Sequence, residues 1–169
     1  IMIKTELGTL RRSHYSDELN PSMDGLEVTV MGWVLTIRGH GNISFATIRD
    51  KNGDIPIVAK KGDCPDELRE KLSVLKAHSS IAIIGKIKSS EKAPTGFEII
   101  PSELRVFSDV EKIPPFEPLA KTVKNIDTRL EVRPIDLRRK TLQHIFNARS
   151  QVLKSIRDYF YQQNFTEIN

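Results

Sequence analysis

Apolar and polar residues alternate in short runs over roughly the first 110 positions, and after residue 140 the apolar spacing changes to three and four. The first period belongs to half-buried strands and the second to an amphipathic helix. Glu27 to Arg38 (EVTVMGWVLTIR) predicts a long strand rich in β-branched residues, with Gly32 where strands bulge or bend. Ile43 to Asp50 follows the turn-like Gly39-His40-Gly41-Asn42. Asp50-Lys51-Asn52-Gly53 then carries the Asn-Gly pair of a tight hairpin into a third strand, Asp54 to Ala59. A helix is expected to open near Asp63 or Cys64, with acids in its first turn, and to bury Leu68, Leu72 and Leu75 before ending at Ala77. Ser80 to Ser89 and Phe97 to Phe107 are the last two strands, the second interrupted by Pro101, where an edge or a bulge is expected.

A long bent strand, a meander, a helix between the third and fourth strands and two closing strands form the order of the OB-fold. This is a mainly β class, a five-stranded Greek-key barrel with one capping helix. Residues 1–108 are assigned to that barrel. In residues 109–140, Pro114, Pro115, Pro118 and Pro134 predict a hinge or linker without regular elements. From 141 to 169, Leu142, Ile145, Phe146, Val152, Leu153, Ile156, Tyr159 and Phe160 mark one long amphipathic helix. Phe165 to Asn169 reads as the start of a strand, so a further domain is expected to follow.

Composition narrows the classes. No stretch of the 169 residues approaches the ~20 apolar positions of a membrane span. With 38% hydrophobic and 28% charged residues the chain is also unlike a disordered one. A lone cysteine, Cys64, and the absence of a signal-like leader point to a reducing, cytoplasmic setting. The net charge is +4, but residues 1–110 hold 15 basic and 15 acidic side chains against 11 and 7 in the remainder. A polyanion bound by the barrel would have to be held by local arrangement.

Motifs for catalysis are missing: there is no phosphate-cradling glycine loop and no nucleophile elbow, and the four histidines are too scattered to form a metal site with Cys64. Binding signals are stronger. Alternation puts Ile43, Phe45, Thr47 and Arg49 on one face of the second strand. Phe45 is then either a stacking platform for a base or part of the barrel core. Arg38 is placed to meet a phosphate or a base edge, and Arg49, Lys60, Lys61, Lys86, Lys88 and Lys92 are candidate phosphate contacts or solvated surface. Trp33 is expected in the core.

Arg12-Ser13-His14-Tyr15, Gly32-Trp33-Val34, Arg38 with Phe45 seven residues on, Ile48-Arg49-Asp50 and Gly96-Phe97-Glu98-Ile99 occur in this order. Asp127-Thr128-Arg129-Leu130 and Asp136-Leu137-Arg138-Arg139 follow them. Together they resemble the aspartyl-tRNA synthetases of archaeal and eukaryotic type. The resemblance implies an anticodon-binding OB domain, a hinge and the start of a class II catalytic domain whose first motif forms a homodimer. Leu142, Ile145, Val152, Leu153 and Ile156 would line that interface. It further implies that Phe45 stacks on an anticodon base beside Arg38 and that Glu98 reads a base edge. Pro56 falls where the family has a glutamine for the central uridine. Pro94 stands where some relatives carry a lysine, which implies relaxed selection between tRNA-Asp and tRNA-Asn. ATP and magnesium would serve the whole enzyme; none is expected in this region, which should bind RNA and catalyse nothing. The alternatives are an asparaginyl-tRNA synthetase domain and a free-standing single-strand-binding OB protein.

Overall fold

One strand closes the barrel by changing partners along its length. In the computed structural model, which describes residues 5–112, 114–115 and 125–168, β1 (Glu27–His40) pairs with β4 (Ser80–Ser89) from Glu27 to Trp33 and with β2 (Ile43–Arg49) from Trp33 to His40. With β3 (Asp54–Lys60) and β5 (Phe97–Ser108) the order around the closed barrel is β1-β2-β3-β5-β4. The β3 to β5 seam is parallel, with Ile57 opposite Ile99, and every other seam is antiparallel. The chain divides into two compact units, residues 1–111 and 112–169.

Alternation fixes the interior. Val28, Val30 and Val34 of β1, Ile48 of β2, Ile55 and Ile57 of β3, Ile81, Ile83 and Ile87 of β4 and Ile99 of β5 are all buried. Leu68 and Leu72 of α1 (Asp66–Ser73), with Leu75 just beyond it, join the same core. This helix is shorter than the sequence suggests. Pro65 occupies the N-cap with no side-chain cap, so the turn at Asp63 and Cys64 stays outside, and His78 adopts φ 73 after the C-terminus. Gly32 points inward at the place where β1 changes partner. A Cβ there would collide with the Arg49 carbonyl oxygen and the Ile48 side chain, so the two strands can approach only because the side chain is missing. The irregularity in β1 comes slightly later, between Val34 and Thr36. Of the two in β5, one falls beside Pro101, where Ser102 is the extra residue and its hydroxyl donates to the Ile84 carbonyl at 3.1 Å.

The turn after β2 is built on a carboxylate. Asp50 is only 4% exposed and accepts from the backbone N–H groups of Asn52 and Gly53, 2.8 and 3.0 Å, and from the Ser16 N–H and hydroxyl, both 2.7 Å. Burial alone would raise its pKa, but the hydrogen bonds from the Ser16 hydroxyl, Gly53, Asn52 and the Ser16 backbone together hold it below the ordinary aspartate value. The carboxylate thereby ties the amino-terminal segment to the hairpin.

In the second unit, α2 (Ile126–Glu131) and α3 (Arg133–Asp136) occupy part of the stretch expected to lack regular elements. Pro134 sits in the first turn of α3, where a missing N–H costs nothing, and so it starts that helix rather than breaking it. Pro118 and Asn169 lie outside the described residues. Asp136, with no exposed surface, receives Arg129 Nε at 3.0 Å and Arg133 Nη1 at 3.4 Å, with Arg139 Nη1 at 3.7 Å. After α4 (Lys140–Gln162) the chain turns at Asn164, φ 63, and the Phe165 N–H returns to the Phe160 carbonyl, so that Phe165 packs edge-on against Phe160.

Two outcomes are expected. Asp50→Asn should cost about 1.5–3 kcal/mol in urea denaturation at pH 7, because a charged acceptor of four bonds is replaced by an amide. Since the folded pKa of Asp50 is depressed, its contribution is complete above the unfolded value of about 3.9 and is lost as pH falls through the folded value; the difference between wild type and variant should therefore shrink below pH 4. Asp136→Asn should cost about 3 kcal/mol, because the arginines around it lose their buried counter-charge, and amide exchange across α2 and α3 should accelerate.

Candidate nucleic-acid interface

The outward faces of β1, β2 and β3 carry the residues singled out from the sequence. Since Ala46 and Ile48 point into the core, Phe45 and Thr47 stand outside, and Phe45 is 46% exposed. That excludes a core role for Phe45. The register places Arg38 directly opposite Phe45 on one side and Val58 opposite it on the other. One pleat along, Thr36, Thr47 and Pro56 form the next row. The parallel pair Ile57 and Ile99 brings Glu98 level with Pro56, and Lys88 of β4 lies opposite Glu98. Arg38, Phe45, Thr47, Pro56 and Glu98 thus occupy two adjacent rows of one surface.

Within this surface the polar groups differ in how they are held. Arg49 lies against Asp54 across the β2 to β3 hairpin, Nε to Oδ1 at 2.5 Å and Nη2 to Oδ2 at 2.8 Å. Two of its nitrogens are committed, and the third, Nη1, is buried without a hydrogen-bond partner. A phosphate contact by Arg49 would compete with a two-pronged ion pair. Arg38, Lys60, Lys61 and Lys92, by contrast, are exposed and make no ion pair among the described residues. Glu98 is half-buried and equally unpaired.

Pro94 is exposed in the β4 to β5 loop. The Ala93 N–H bonds to the Ser90 carbonyl at 3.1 Å, the Gly96 N–H to Ala93 at 2.8 Å and the Ser90 N–H to Gly96 at 2.9 Å. Gly96 has φ +76 and faces Pro21 so closely that a Cβ would lie 2.8 Å from its Cγ. The loop is therefore shaped by its own backbone. Leu142 is half-buried, and Ile145, Val152, Leu153 and Ile156 are exposed along α4.

Trp33 is not core. It stands on the outer face opposite Arg49 and lines a cleft of about 860 Å³ with Arg12, Tyr15, Met31, Lys51 and Phe107, among others. The Tyr15 ring lies between the Arg12 guanidinium and the Lys51 ammonium, each 4.2 Å from its centroid. Local patterning gives no sign of this cluster, because residues 12–15 precede the strands and reach the cleft through long-range bonds from Arg12 to the Met31 carbonyl, from Ser13 to the Thr29 carbonyl and from Ser16 to Asp50. Thr47 is the other residue passed over, although its alternation with Phe45 already places it on the same face. Among the described residues, no group of three or more His, Cys, Asp or Glu side chains could hold a metal ion, and no helix is long and apolar enough to cross a membrane.

Comparison with known proteins fits this geometry. Residues 28–107 match the OB-fold nucleic acid binding domain family, and residues 125–169 match the tRNA synthetases class II (D, K and N). The chain is 46% identical over 159 residues to the aspartate–tRNA(Asp/Asn) ligase of Methanocaldococcus jannaschii, covering 94% of this chain and 36% of that protein. The asparaginyl-tRNA synthetase of Pyrococcus horikoshii, solved with asparaginyl-adenylate, superposes with a TM-score of 0.83 at 25% identity, over 95% of this chain and 36% of the other. The aspartyl-tRNA synthetase of Entamoeba histolytica shares the fold with a TM-score of 0.87 at 24% identity, over 100% and 42%. The chain spans little more than a third of the length of the curated relatives it matches. With an OB barrel followed by a class II segment, and with that level of identity across both, the chain is similar to the aspartate–tRNA ligases over nearly all of its length.

Proposed function

We propose that this chain is the anticodon-binding region of an aspartate–tRNA ligase, with residues 1–108 holding the anticodon loop, 109–140 acting as hinge and 141–169 opening the catalytic domain. The observation that carries the reading is the exposed Phe45 ring beside Arg38 on the β1 to β3 face, with polar groups around it that no internal partner satisfies. A base stacked on Phe45 would gain about 1–3 kcal/mol. Arg38, Lys60, Lys61 and Lys92 would meet phosphates, and Glu98 would accept from a base edge. Aspartylation itself, with ATP and magnesium, would belong to the longer enzyme in the cytoplasm, where the apolar stripe from Leu142 to Ile156 would pair two copies.

The purified chain should bind the anticodon stem-loop of tRNA-Asp and prefer it to an unrelated stem-loop. With about four phosphate contacts, a salt slope near −3 and a loss of roughly 60-fold between 50 and 200 mM salt are expected. Phe45→Ala should weaken binding by about 1–3 kcal/mol and leave the thermal midpoint unchanged. Equal affinity for the unrelated loop, or no effect of the substitution, would overturn the assignment.

A finer reading concerns the third anticodon base, cytidine for aspartate and uridine for asparagine. Their pairing edges differ by a donor amine against an acceptor carbonyl, so discrimination needs a fixed polar partner. Pro94 offers no such group. The Methanocaldococcus jannaschii relative is itself named for both tRNAs. The two stem-loops are expected to bind within about ten-fold of each other, and Pro94→Lys, which adds a donor to the loop, should widen the gap. A preference above about 100-fold in the unaltered chain, equivalent to ~2.7 kcal/mol, would exclude relaxed selection.

A further inference from the structure

A base lying on Phe45 would bring its polar edge over the neighbouring row of the sheet, which holds Thr36, Thr47, Pro56 and Glu98, the last able only to accept. Directly across from Phe45, Val58 has no polar side-chain atom, and Arg38 offers only donors. One pleat further, roughly 7 Å along the strand, Pro56 contributes neither a polar side chain nor an N–H. Between Pro56 and Thr36 stands Thr47, on the same strand and face as Phe45. Its hydroxyl makes no hydrogen bond among the described residues. Its β-branched side chain has restricted rotamers, and its strand is held on both edges by β1 and β3. A hydroxyl both donates and accepts, so it can serve the adjacent donor and acceptor of a pyrimidine edge.

We propose that Thr47 is the residue that hydrogen-bonds the base stacked on Phe45. The inference rests on the anticodon-binding reading above and adds to it the group that contacts the base edge. Because a hydroxyl adapts its proton to either partner, Thr47 secures the base without strongly separating uridine from cytidine. Phe45 and Thr47 must then act on one and the same nucleotide.

That requirement supplies the test. Wild type, Phe45→Ala, Thr47→Val and Thr47→Ser are compared by fluorescence anisotropy on the tRNA-Asp anticodon stem-loop. The same loop is then used with an abasic site at each of the three anticodon positions in turn. Thr47→Val keeps the branched shape of an outward residue and should leave the thermal midpoint unchanged while weakening binding about ten-fold. Thr47→Ser, which restores the hydroxyl on a smaller side chain, should recover most of the loss. One abasic position should abolish the effect of Phe45→Ala, and the effect of Thr47→Val should vanish at that same position. If Thr47→Val binds the intact loop like wild type, or keeps its full effect on that abasic loop, the assignment of Thr47 fails while the role of Phe45 stands. If Phe45→Ala has no effect either, the anticodon-binding reading fails and Thr47 falls with it.

Discussion

The barrel depends on how closely β1 can pass over β2 where it exchanges partners. Gly32 points inward at that crossing, and any side chain there would strike the Arg49 carbonyl and the Ile48 methyl. Inserting even one carbon would force β1 away from β2 and shift their register. A slip of one residue would send Phe45 and Thr47 inward and Ala46 and Ile48 outward. The outward placement of Phe45 and Thr47 is thus a consequence of a packing restriction more than ten residues away in sequence.

Carboxylates and cations are used in opposite ways across the first unit. Asp50 accepts four hydrogen bonds from Ser16, Asn52 and Gly53, and Asp54 holds Arg49. These acids are consumed in fastening the amino-terminal segment and the β2 to β3 hairpin. The basic groups beside Phe45 are left open to solvent without partners. In the second unit the same logic is stronger, since one fully buried carboxylate, Asp136, gathers Arg129 and Arg139 of the Asp-Thr-Arg-Leu and Asp-Leu-Arg-Arg strings and Arg133 between them.

Strand order and the exposed side of β2 were legible because a period of two leaves little freedom once one face is apolar: Ala46 and Ile48 determine where Phe45 goes. Trp33 was misjudged by its size. The same alternation along Val30, Gly32 and Val34 puts the glycine inward and the tryptophan outward, and position outranks hydrophobicity there. The early start of α1 was misread because acids at 63 and 66 look alike in sequence, whereas Pro65 fixes the N-cap. Pro134 misled in the opposite direction, a helix starter taken for a breaker. The Tyr15, Arg12 and Lys51 cluster had no local signature, since long-range ties to Asp50, Met31 and Thr29 assemble it.

A barrel with equal numbers of acids and bases can still present a cationic face, because what a polyanion meets is the uncompensated charge on one side rather than the sum. Here the compensation is spatially sorted. Asp50 is turned inward onto the donors of its own turn and Asp54 is bound to Arg49, which cancels its field at short range, while Arg38, Lys60, Lys61 and Lys92 make no ion pair among the described residues. Glu98, level with Pro56, is an acid of this face that makes no ion pair among the described residues. A lone carboxylate amid cations repels phosphate yet accepts well from a base amine or imino N–H, so its presence separates the part of the surface suited to backbone from the part suited to base edges. On the proposed reading, the face would order a single strand by chemistry: phosphates toward the lysine-bearing rims, and bases toward Phe45, Thr47 and Glu98.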